Sequence, residues 1–93
     1  MKARTLIARN LRRLRVARAL SQEMLAVDAG IDRTYVSRLE RGLENPTVTV
    51  LEKLARAFSS NIEDLFRAPR AGEETPRPLK GGHRTKRKKK PVS

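Results

Sequence analysis

The chain has 93 residues, 38% of them hydrophobic, and 22 Lys and Arg against 10 Asp and Glu give it a net charge of +12. That is one domain with a tail: about 60 residues bury only about 60% of their unfolded surface, which leaves little to wall a deep catalytic pocket as well. With no cysteine there is no disulfide framework, thiolate nucleophile or zinc ribbon, and no uncharged window is long enough for a membrane span.

The charge is uneven. Residues 1–66 hold 12 basic and 8 acidic residues, whereas residues 67–93 hold 10 and 2. A mildly basic domain with a strongly basic tail calls for a polyanionic partner, nucleic acid first and anionic membrane as its rival. The first 22 residues carry six arginines and no acid, a composition shared with organellar transit peptides, and they show no secretory h-region. The same residues are needed to complete the domain below, so they are read as part of it.

Residues 3–18 predict an amphipathic helix, with Ile7, Leu11 and Leu14 at i, i+4, i+7 and arginines on the other faces. Ser21 is placed to cap a second helix, with Glu23 in its first turn and Leu25, Ala26 and Ala29 on its inner face. Gly30 ends that helix, where a left-handed residue is cheap. Asp32 caps a third helix over 33–41, terminated by Gly42, with Val36 and Leu39 inward. Thr47 caps a fourth, whose apolar face is Val48, Leu51, Leu54, Ala55 and Phe58. Asn61 caps a short fifth, IEDLF. Beyond it the chain is rich in proline and glycine and nearly devoid of apolar residues, which predicts disorder over 68–93.

Two short helices joined by a turn at 30–32 make a helix-turn-helix over 21–41. Ala26 is small because the helices cross there, Gly30 permits a positive φ, and Val36 and Leu39 lock the second helix onto the first. The stretch DRTYVSRLERG then loads three arginines and two hydroxyls onto a helix held away from the core.

The segment from Leu20 to Phe58, with SQ…LA…G…S.LERG…P…L.KLA.A, resembles the phage-repressor-like (Xre-type) helix-turn-helix family over about residues 5–66. DRTYVS..ERG is also similar to the controller proteins of restriction–modification systems, a subgroup of it. The implied fold is an all-α, five-helix DNA-binding domain over residues 1–67. Two residues depart from the pattern: Ala19 and Ser59 stand where a helix-ending glycine is usual, each costing about 1 kcal/mol if φ is positive there.

Arg33, Thr34, Ser37 and Arg38 lie outward on the first two turns and are the expected base readers, since one arginine can bond guanine O6 and N7 together. Resemblance places Gln22 on a phosphate at the start of the second helix. Tyr35 either reaches the same backbone or stacks into the domain. Arg41 and Asn45 flank the following loop as phosphate contacts, and Arg12 is a further one. Resemblance also pairs Arg15 with Glu40 inside the domain, which explains an acid on a face meant for a polyanion. Ile62, Leu65 and Phe66 are more apolar than a short closing helix needs, and with the family's habit they imply a homodimer on two half-sites about one helical turn apart.

Enzymatic readings fail on inventory. The one histidine, His83, lies in the tail, no glycine loop cradles a phosphate, and the acids sit at helix starts. The run HRTKRKKKP at 83–91 would neutralise phosphates without reading sequence. The resulting expectation is a cytoplasmic, bacterial or phage-encoded transcriptional regulator. It would bind pseudo-palindromic double-stranded DNA and touch RNA polymerase from a neighbouring site when it activates. No membrane, small-molecule ligand, metal or cofactor is expected. An antitoxin on the same fold and a non-specific nucleic-acid coat are the rivals.

Overall fold

The computed structural model describes residues 2–69, which contain helices and turns and no strand. Four α-helices, α1 (Ala3–Ala17), α2 (Gln22–Ala29), α3 (Arg33–Glu40) and α4 (Val48–Ala57), are followed by a 3-10 helix, Ile62–Phe66. The expected fifth α-helix is thus corrected to a 3-10 helix. Five residues are too few to gain from i→i+4 bonding, and the tighter i→i+3 turn takes over in so short a piece. Of the expected tail, residues 70–93 lie outside the described residues.

Each long loop ends in a side-chain cap. Ser21 Oγ accepts from the Met24 N–H at 3.0 Å, Asp32 Oδ2 from Thr34 at 2.9 Å, and Thr47 Oγ1 from Val50 at 3.1 Å. At the 3-10 helix the Asn61 backbone N–H donates to Asp64 Oδ2 at 3.1 Å. These caps satisfy N–H groups that the first turn leaves open.

All four α-helices close with the same left-handed turn. The N–H of the residue after the left-handed one reaches back to a carbonyl in the last turn: Leu20 to Arg15, Ile31 to Ala26, Leu43 to Arg38, Ser60 to Ala55. Glycine fills the left-handed position twice, at Gly30 (φ 71°) and Gly42 (φ 73°), while Ala19 and Ser59 hold it at φ 55° each. The two departures flagged in the sequence therefore carry the backbone cost expected of them.

One core joins all five elements: Ile7, Leu11 and Leu14 from α1, Leu25, Ala26 and Ala29 from α2, Val36 and Leu39 from α3, Leu51, Leu54 and Ala55 from α4, with Phe58 and Leu65. Val48 does not join it and is 65% exposed. It opens α4 one turn ahead of Leu51, where the helix first meets the core. α1 packs on α3 and on the 3-10 helix, α2 on α3 and α4, and α4 on the 3-10 helix.

Polar side chains fasten the same contacts. Asn10 is 1% exposed on the apolar stripe of α1. Its Nδ2 donates to the carbonyls of Leu65 and Arg67, both at 2.9 Å, and its Oδ1 accepts from Arg13 Nε and Nη2 at 3.2 Å. Arg18 lies over the Phe58 ring, 5.5 Å from its centroid, and donates to the Phe58 carbonyl at 3.1 Å. Arg13 and Arg18 thus help hold the domain together rather than merely coating it.

Candidate nucleic-acid interface

α3 begins at Asp32, whose cap fixes the first turn, and shows two opposite faces. Val36, Leu39 and Glu40 are buried; Arg33, Thr34 and Arg38 are exposed, and Ser37 is half-buried. At about 100° per residue, Arg33, Thr34, Ser37 and Arg38 fall within a sector of about 140°. The four expected base readers are brought together on the solvent side of one helix. Arg41 and Asn45 are exposed in the segment that follows α3.

The buried face is braced by one carboxylate. Glu40 accepts from Arg15 through both oxygens, Nε at 2.5 Å and Nη2 at 3.0 Å. Side-chain exposure is 5% for Arg15 and 1% for Glu40. Arg15 Nη1 also donates to the Leu20 carbonyl at 2.8 Å, so the pair ties α1, the first turn and α3 to one another. A bidentate guanidinium–carboxylate contact with few unmet donors is the geometry in which a buried pair holds its place.

Two residues expected at phosphates, Gln22 and Arg12, converge on Glu40. Gln22 Nε2 donates to Glu40 Oε1 at 3.1 Å. Arg12 Nη2 donates to the Glu40 carbonyl at 3.3 Å, and Arg12 Nε lies 3.6 Å from Glu40 Oε1, buried and without a hydrogen-bond partner. In this structure, both side chains are thus engaged with Glu40. A buried acid draws nearby donors because each one reduces the cost of keeping it charged. Position along the chain says nothing of this, since Gln22, Arg12 and Glu40 meet only in three dimensions.

Tyr35 stacks into the domain, partly buried against the core. Its phenol pKa is raised from the ordinary 10.0, first by burial and then by the Glu44 carboxylate. Glu44 is a residue the sequence reading missed: its Oε2 accepts from Arg38 Nε at 2.5 Å. The signal for it was Gly42, because the left-handed turn there sends the chain back along the end of α3.

At the far end of the molecule the three residues expected at a dimer interface separate. Leu65 is fully buried in the core, so it is removed from that set; Ile62 is half-buried and Phe66 is 42% exposed. With only five residues the sequence pattern could not divide inner from outer positions. No described helix is long and apolar enough to cross a membrane.

Comparison with known proteins agrees with this geometry. A helix-turn-helix family model matches residues 11–65. An uncharacterized HTH-type transcriptional regulator, y4dJ, from Sinorhizobium fredii is 42% identical over 64 residues, covering 68% of this chain and 83% of that protein. Control protein C.BamHI of Bacillus amyloliquefaciens is 35% identical over 64 residues, covering 68% of this chain and 79% of its own. Among solved structures, the restriction-modification controller protein C.AhdI from Aeromonas hydrophila matches with a TM-score of 0.66 and 41% identity, covering 68% of this chain and 96% of that one.

Proposed function

The chain belongs to the Xre-type helix-turn-helix family of transcriptional regulators, and on that premise we propose that it binds a specific double-stranded DNA operator by laying α3 in the major groove. The observation that carries this reading is the gathering of Arg33, Thr34, Ser37 and Arg38 on the exposed side of α3, with the buried Arg15–Glu40 pair fixing that helix from behind. A rigid rod of donors suits a groove about 12 Å wide, and a bidentate arginine–guanine contact supplies discrimination. Arg41 and Asn45 then meet phosphates beside the groove, which sets register without reading sequence.

A single α3 spans too few base pairs to select one site in a genome. The protein therefore acts as a two-fold dimer, with Phe66 and Ile62 supplying apolar surface for the contact between copies. It regulates by occluding the polymerase, or by touching it from an adjacent operator, at promoters that include its own.

Selection of bound duplexes from a randomised pool tests this at physiological ionic strength. The expected product is an inverted repeat with half-site centres about 10 base pairs, one helical turn, apart. Enrichment of no motif, or of base composition alone, overturns it.

A further inference from the structure

We propose that Glu44, in the loop after α3, is a positioning residue that aims Arg38 at its base and withholds it from phosphates. This rests on the DNA-binding reading above and adds to it a residue outside the recognition helix. The route that brings Glu44 there is local. Gly42 takes φ 73°, its N–H donates to the Leu39 carbonyl at 3.1 Å, and the Leu43 N–H donates to the Arg38 carbonyl at 3.0 Å. The chain is thereby folded back over the last turn of α3, and the Glu44 carboxylate arrives beside the Arg38 guanidinium.

The edge that Glu44 takes is informative. It accepts from Nε, on the side of the guanidinium, and the two terminal amines at the end are the pair that can donate in parallel to guanine O6 and N7. The Arg38 side chain stays 45% exposed and Glu44 29% exposed, so the fork is presented outward while its stem is held. Holding it removes rotamer freedom that binding would otherwise have to remove.

Glu44 also has little else to do. Three other acids in the domain do have structural employment: Asp32 caps α3, Asp64 caps the 3-10 helix, and Glu40 is buried among donors. An exposed pair such as Arg38–Glu44 contributes little to folding stability. A carboxylate on the face offered to a polyanion repels the phosphates of any duplex. Its presence is useful where it lowers wrong-site binding more than right-site binding, which is how a repulsive element creates specificity.

The experiment compares the full chain with Glu44→Ala, Glu44→Gln and Arg38→Ala. Each is put through selection from the randomised duplex pool, then titrated against the duplex selected by the wild type and against a scrambled one. Glu44→Ala is expected to bind the scrambled duplex several-fold more tightly. Its salt dependence should steepen by about one phosphate neutralised, because Arg38 is released to the backbone. It should also lose roughly tenfold in preference at one guanine per half-site, the same position that Arg38→Ala loses. Glu44→Gln keeps an acceptor for Nε, so it should keep that base preference while gaining non-specific affinity. Both Glu44 variants should melt near the wild-type temperature.

A wild-type motif that Glu44→Ala reproduces with unchanged preference at every position overturns this inference and leaves the proposed function standing. So does a loss at positions that Arg38→Ala does not affect. A wild-type pool with no enriched motif overturns both together.

Discussion

Two arginine–glutamate pairs bracket α3, alike in their atoms and with the same shortest distance, 2.5 Å. Arg15–Glu40 sits behind the helix, nearly sealed from water, with Gln22 and Arg12 drawn toward the same carboxylate. Arg38–Glu44 sits in front, open to solvent on both sides. Burial alone gives the two pairs different work. Behind, neither charge has water to fall back on, so each holds the other in place and the helix is fixed to α1. In front, water and salt compete for both partners, so the pair adds little to folding and its effect appears in binding.

Breaking the rear pair should have the largest effect. Glu40→Ala leaves Arg15 buried without its partner and is expected to lower unfolding stability by about 3–5 kcal/mol, a large share of the about 5–15 kcal/mol typical of a domain. Urea denaturation followed by circular dichroism measures it, and a loss below about 1 kcal/mol would erase the distinction between the pairs. Replacing both partners together, Arg15→Met with Glu40→Leu, should recover much of the loss, because no lone charge remains.

On the front face the cost should appear in binding instead. Arg33→Ala and Arg38→Ala are each expected to weaken the selected duplex by about 1–3 kcal/mol relative to a scrambled one, with the urea midpoint unmoved. Stability changes from Arg38→Ala should stay within about 0–1 kcal/mol. A midpoint shift as large as that of Glu40→Ala would show that the exposed pair is structural after all.

Ala19→Gly sharpens the contrast from a third direction. It relieves a left-handed backbone just past Arg15 without touching either pair, and should raise stability by about 1 kcal/mol. Ser59→Gly should do the same at the end of α4. Thermal unfolding of the two single variants and of the double variant checks both, with gains that add because the sites share no partner.

The smallest effect concerns Tyr35. Its folded pKa lies above the ordinary 10.0, by burial and then by Glu44. The ring's contribution to stability is therefore complete below pH 10 and falls as pH rises through the raised value, where the unfolded chain ionises first. An ultraviolet difference titration should place the phenol above its ordinary value. Glu44→Gln should bring it part of the way back, leaving the share due to burial.

Much of this was legible in the chain itself, and the reasons are local. The caps at Ser21, Asp32 and Thr47 act within three residues, and the apolar stripes of α1, α2 and α3 repeat at helical spacing. The strained turns at Ala19 and Ser59 were visible because glycine is the residue that belongs there. What escaped was settled by distant contacts or by very short elements. Arg12 and Gln22 meet Glu40 only in three dimensions, so these contacts could not be read from spacing. Leu65 is core and Phe66 is surface, yet five residues of 3-10 helix show no period that could separate them. Asn10 was discoverable: it sits on the stripe of Ile7, Leu11 and Leu14, where a polar residue needs a partner.

That asparagine has a consequence for how the molecule comes into being. Its amide grips the carbonyls of Leu65 and Arg67, more than fifty positions downstream. A nascent chain that has released α1 through α4 from the ribosome still carries an uncovered groove and an unmet amide, and closes only when the final turn emerges. Premature release anywhere before Leu65 should yield a protease-sensitive species rather than a smaller working regulator.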